Sequence, residues 1–412
     1  MKPLRIKLLL FAALLIVLSG LVFLYYTKYY NVKEQTESYP EIQEISTRNF
    51  SGFEELKKYF QDLAQKKGGR YAFEILRKAV IPPNTDLHLL GHAVGDILYQ
   101  QEGLKGITAC DNDFRNACSH SIVVGLFSDK GESALPEITE ACRQAPGGPG
   151  AYTMCFHGLG HGILAANGYD MDTASKYCKK TSSSVNNSES TECIGGMIME
   201  IIGGGFHDRE IWASQRKENL NPKKPLGLCQ QNFIPEEARF MCYIYLTPFL
   251  FEAADIDLGK PDPALFGKSF AMCNALPIND KINRDACFGG FGKEFIGMVQ
   301  ARDIRQEAVK NISTESFDDV YEWCQKADNK DGTAACIVHG MNSLFWGGEN
   351  DRIGAERFCG VIQDNQYNRD SCFQNLITSV GVYVSDQAYR QAFCAELPED
   401  YQQSCRERLA VK

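Results

Sequence analysis

The chain has 412 residues and carries 43 Lys plus Arg against 52 Asp plus Glu, a formal charge of −9. That balance gives a nucleic-acid partner no electrostatic support and excludes it from the expected partners. The length suffices either for a large core or for an extended array that needs no single core.

At the N-terminus, Lys2, Arg5 and Lys7 precede an uncharged apolar run from Leu8 to Tyr26. The run is close to the roughly 20 residues a helix needs to span a bilayer. Large residues, Val22 to Tyr26, stand where a signal peptide would place small ones, so the reading is an uncleaved anchor. Basic charge before the run directs the rest of the chain outward. The sequence therefore predicts residues 1–27 as a membrane anchor, 28–50 as a juxtamembrane linker and 51–412 as an extracytoplasmic domain. The expected location is a single-pass membrane protein, with the membrane itself as a partner through the N-terminal helix.

Phe53, Leu56, Phe60 and Leu63 recur at helical spacing up to Lys67, and Gly68-Gly69 then stops the helix. A second helix is expected from Tyr71 to Val80, ending before Pro82-Pro83, with Asn84, Thr85 and Asp86 as cap candidates for the next.

Beyond that point, 16 cysteines fall into eight pairs: Cys110/Cys118, Cys142/Cys155, Cys178/Cys193, Cys229/Cys242, Cys273/Cys287, Cys324/Cys336, Cys359/Cys372 and Cys394/Cys405. An even set outside any CxxC spacing points to disulfides and to an oxidising compartment. The first cysteine of each pair closes a short helical pattern, the second opens a longer apolar stretch, and turn formers lie between. Each unit thus reads as helix, loop, helix with one disulfide joining the end of the first to the start of the second. Closing such a loop stabilises a unit by roughly 3 kcal/mol on the chain-entropy model. Arg115, Arg239, Arg284 and Arg369 each stand three residues before a second cysteine, which is expected to mark a recurring helix-end contact. The predicted fold is all-α: a disulfide-stapled helical-repeat, α-solenoid-like array behind one N-terminal transmembrane helix.

Five of the seven histidines fall between residues 88 and 161. His88 to His92 and His157 to His161 share the pattern HxLGH, and Asp86 precedes the first as Cys155 precedes the second. His120 has the same register relative to Cys118. Histidines at i and i+4 share a helix face and can bind one ion. Two such pairs on packed helices present four imidazoles to a common point. The positive end of the helix dipole in the first turn disfavours imidazolium, which leaves the ring neutral for metal. Gly91, Gly95, Gly158, Gly160 and Gly162 would let the two helices approach. The expected metal ligands are His88, His92, His157 and His161, assisted by His120.

The ion is zinc, iron or copper, all of which accept imidazole. Asp96 and Glu200 are the nearby carboxylates available as ligand, orienting partner or base. An open coordination position would make the centre an enzyme that activates water or oxygen. The competing reading is a non-catalytic scaffold whose concave face binds an extracytoplasmic protein or glycan, its histidines merely bonded to loop carbonyls. His339 is read as structural and the dipeptide His207-Asp208 as accidental. With every cysteine in a disulfide, none is left as a nucleophile.

Overall fold

The computed structural model describes residues 39–111, 113–182, 188–204, 208–347 and 351–410, and within them every regular element is helical. A small unit comprises the helix Pro40–Thr47 and residues 78–81. In it Ile45 is buried and the Lys78 ammonium sits 5.1 Å from the centre of the Tyr39 ring. The second unit holds the remainder, Phe50–Arg77 and Pro82–Lys412.

The first expected helix runs from Phe53 to Lys67 as the spacing predicted, burying Leu56, Phe60, Leu63 and Ala64. The second is Gly69–Lys78 rather than Tyr71–Val80. Gly68 alone makes the break, at φ +98°, and Gly69 already belongs to the next helix.

All eight disulfides join the expected partners, with Cα separations from 5.2 to 5.8 Å, within the ordinary range for an unforced bridge. Nine helices carry the second cysteine of each pair or align with it. They are α1 (Leu87–Glu102), α2 (Ala117–Lys130), α3 (Gly148–Ala166), α4 (Ser188–Gly203), α5 (Arg239–Tyr245), α6 (Lys281–Val299), α7 (Lys330–Gly347), α8 (Gln366–Tyr383) and α9 (Glu399–Arg408). Each packs on the next in chain order. Asp86 caps α1, its carboxylate accepting from the Leu89 N–H at 2.9 Å.

Six of the first cysteines lie in the last turn of a short helix, whereas Cys110 and Cys229 sit at 3-10 turns. Cys118 opens its helix as expected, but the other second cysteines lie deeper. Cys155 comes seven residues after Gly148, so α3 begins about two turns before the disulfide.

The succession also turns back on itself. Asn84 N–H donates to the Ala301 carbonyl at 2.8 Å, and the Arg305 guanidinium reaches the carbonyls of Leu76 and Arg77 at 3.4 and 3.3 Å. Gly150, at the start of α3, faces Trp346 of α7 and Tyr383 of α8. Residues from the first and last thirds of the unit are therefore neighbours.

The expected transmembrane span, Leu8 to Tyr26, lies outside the described residues. Among those described, no helix is long and apolar enough to cross a membrane. The two longest, α3 and α6 with 19 residues each, are interrupted by glycines and histidines or by Lys281, Arg284, Asp285, Lys293 and Glu294. This corrects the single-pass membrane location. The compartment is indicated instead by the eight disulfides, which persist in oxidising, extracellular surroundings.

Candidate metal centre

The two HxLGH helices do not pack face to face. Both pack on α2, which lies between them. Glycine makes these contacts close: a Cβ on Gly91 would fall 2.7 Å from the Ala117 Cβ, and one on Gly158 would fall 2.4 Å from the His120 ring. The result places His120 at the centre. Its ring centroid is 5.5 Å from His88, 5.7 Å from His92, 5.8 Å from His157 and 5.9 Å from His161. His88 and His92 are 4.7 Å apart, His157 and His161 5.1 Å apart, and the two pairs approach through His161, 6.4 Å from His88 and 6.3 Å from His92. The five histidines expected to gather are thus gathered, with His120 as the hub instead of an accessory.

The hydrogen bonds fix the protons on some rings. His88 Nδ1 lies 2.7 Å from the Phe114 carbonyl. A carbonyl can only accept, so Nδ1 carries the proton and Nε2 the lone pair. Ser121 Oγ lies 3.0 Å from the His92 carbonyl and 3.1 Å from His92 Nδ1. When its single proton goes to Nδ1, the His92 ring proton sits on Nε2 and points to the His88 lone pair. His161 Nδ1 donates to Glu200 Oε2 at 3.0 Å, while the Tyr169 hydroxyl donates to Oε1 at 2.9 Å. Among the described residues, His161 Nε2 and both nitrogens of His120 are buried without a hydrogen-bond partner.

Two consequences follow. His88, His120 and His161 offer ligand atoms within 4.8 Å of one another and could hold a metal ion. In addition, His88 Nε2 and His92 Nε2 face each other at 3.3 Å. Nitrogens at 2.0–2.1 Å on a tetrahedral ion lie about 3.3–3.4 Å apart, so this spacing is also that of two ligands on one ion. The carbonyl, hydroxyl and carboxylate behind these rings are the orienting partners that metal-bound histidines commonly use.

The Phe114 carbonyl is held by an unusual turn. Phe114, Arg115 and Asn116 have φ of +56°, +51° and +64°, all left-handed. For residues other than glycine this costs roughly 1–2 kcal/mol each, and such strain concentrates at functional sites.

Burial sets the charge state. His120, His157 and His161 are 1 %, 1 % and 7 % exposed. Enclosure pushes His88 down to about 4, and drives His120 and His157 well below the ordinary histidine value. The rings of His88, His120 and His157 are therefore neutral, as metal binding needs. The cause differs from the expected one: His88 stands in the first turn of α1, but His157 and His161 lie in the middle of α3, out of reach of the dipole.

No protein-family model, no curated protein and no solved structure matches this chain. The reading rests on its own residues.

Of the two flagged carboxylates, Glu200 holds His161, and Asp96 is half-buried on α1. Asp208 caps the helix Arg209–Asn219 through the Ile211 N–H, and His207 lies outside the described residues. His339, on α7, packs against Gly289 of α6, apart from the other five, and enclosure pushes it down to about 4. Of the four arginines, Arg284 makes the expected helix-end contact, donating to the Cys273 and Leu276 carbonyls at 3.4 and 2.7 Å.

Sequence reasoning missed the Phe114 carbonyl, Ser121, Glu192 and Tyr245. Glu192 Oε2 lies 3.7 Å from His157 Nδ1, and burial pushes this carboxyl up to about 7. The Tyr245 ring lies 4.8 Å from that of His157, tilted by 45°. Glu192 immediately precedes Cys193 in the sequence, a visible signal; Tyr245 had none.

Proposed function

We propose that this protein binds a transition-metal ion through His88, His92, His120 and His161, with His157 beside them. The gathering of His88, His120 and His161, whose ligand atoms lie within 4.8 Å of one another, carries the reading. The unpartnered nitrogens of His120 and His161 extend the donor set. An all-imidazole set suits zinc, iron or copper over magnesium or calcium. A bound ion would draw the outer rings inward from 4.8 Å, and Glu200 would raise the basicity of His161. We also read the disulfide units as one repeated module, an α-solenoid-like array whose early members supply the ligands and whose later members close the interior over them.

Elemental analysis of disulfide-intact protein, purified without chelators or metal-affinity tags, tests this. About one ion per chain is expected. His120→Ala should abolish it, because the hub of the cluster is removed, whereas His339→Ala should keep it. Wild-type protein that contains no metal, and takes up none on titration with zinc, ferrous or cuprous ion, would defeat the proposal.

A further inference from the structure

Beyond the histidines, a second set of polar groups comes from α5, α6 and the left-handed turn. Lys293 of α6 and Arg302 just beyond it share one carboxylate, Glu294, which is 6 % exposed. The Lys293 ammonium lies 5.2 Å from the centre of the Tyr245 ring, and Tyr245 in turn lies against His157. Arg115 is held in the strained turn directly after Phe114, the residue that orients His88. It lies near enough to Glu294, Arg302 and Tyr245 to feel their charges. Among the described residues its guanidinium makes no hydrogen bond or ion pair, and the Tyr245 hydroxyl has no hydrogen-bond partner.

Three cations, Lys293, Arg302 and Arg115, thus stand against two carboxylates, Glu294 and, near Arg115, Asp86. Glu192, the other acid beside Tyr245, sits against His157 at 3.7 Å instead. Excess positive charge withdrawn from water calls for a counter-ion. Guanidinium, ammonium and phenol together make the donor set that oxyanions take.

We infer that Arg115, Lys293 and Tyr245 form a binding site for a small oxyanion, a carboxylate or phosphate group, beside the histidine cluster. Binding stands on these three side chains. Only the description of the anion as ligand or substrate of a metal centre rests on the metal reading. The strained turn then has one purpose for both sites, since Phe114 sets a histidine and Arg115 meets the anion.

Full-length, disulfide-intact protein is titrated with inorganic phosphate and, at matched ionic strength, with chloride, following heat of binding and thermal unfolding. Phosphate should bind saturably and raise the unfolding temperature where chloride does not. Arg115→Met and Lys293→Met should each weaken binding about tenfold or more, with metal content unchanged. Tyr245→Phe, which removes only a hydroxyl, should weaken it roughly threefold and serves as the test if either cation variant does not fold. Absence of a saturable phosphate effect in the wild type overturns the site, as does wild-type affinity in folded variants. Phosphate binding by a protein that takes up no metal would sink the metal reading and leave this one standing.

Discussion

Glu200 and Glu294 occupy the same place in their repeats, each seven residues after the second cysteine, and each is 6 % exposed. Their work differs. Glu200 accepts from His161 and Tyr169 and so orients a ring of the histidine cluster. Glu294 is paired with Lys293 and Arg302, which hold it at about 2 against the upward push of burial. Lys293 itself stands six residues after Cys287, the register His161 has after Cys155. A polar side chain thus recurs at a fixed distance from the second cysteine, and its neighbours decide whether it meets imidazoles or cations. His120 and His339 repeat the contrast: each ring lies against a glycine, Gly158 or Gly289, yet only His120 has other imidazoles around it.

Replacing the two carboxylates separately tests this division most strongly. Glu294→Gln should destabilise the fold by about 3 kcal/mol, because it leaves Lys293 enclosed without its counter-charge. Urea unfolding would show it, with metal content unaltered. Glu200→Gln should do the converse, lowering metal affinity by roughly 10- to 100-fold through loss of the partner that orients His161, with little change in unfolding midpoint. Metal affinity measured by competition with a chromophoric chelator reads the second effect. If both variants behave alike, the two regions are not functionally distinct.

A smaller effect comes from pH. His88 and His339 both have folded values of about 4 against an ordinary 6.5. Each is neutral when folded, and below pH 6.5 the unfolded chain takes up a proton that the native chain does not. Their contribution to stability is thus complete above 6.5 and is lost as pH falls towards 4, by about 1 kcal/mol per ring at pH 5.5. His339→Gln should flatten that loss in metal-free protein and leave the pH at which metal is released unchanged. A shift in metal release would place His339 in the metal site and break the comparison.

Much of this was legible beforehand. The eight cysteine pairs, the helix Phe53–Lys67, the Asp86 cap and the gathering of five histidines follow from local spacing, since pairing over short loops and side-chain faces on one helix need no knowledge of distant chain. The membrane location was misjudged, because it rested on a segment outside the described residues while the described helices carry glycine, histidine and charge. The dipole argument also failed, because the start of α3 lies about two turns earlier than its disulfide suggested.

The sequence by itself determined the repeat, its disulfides and the set of candidate ligands. Only the tertiary structure decided that α2 stands between the two HxLGH helices, that His120 is therefore the hub, and that Arg115, Tyr245 and Lys293 share an interior with the cluster. Those outcomes depend on which helices pack together and how closely their backbones approach at Gly91 and Gly158. They depend also on the contacts from Asn84 to Ala301 and from Arg305 to Leu76 and Arg77, which join segments more than 200 residues apart. No local spacing encodes a contact between residues so distant in the chain, because it arises from the summed packing of every helix between them.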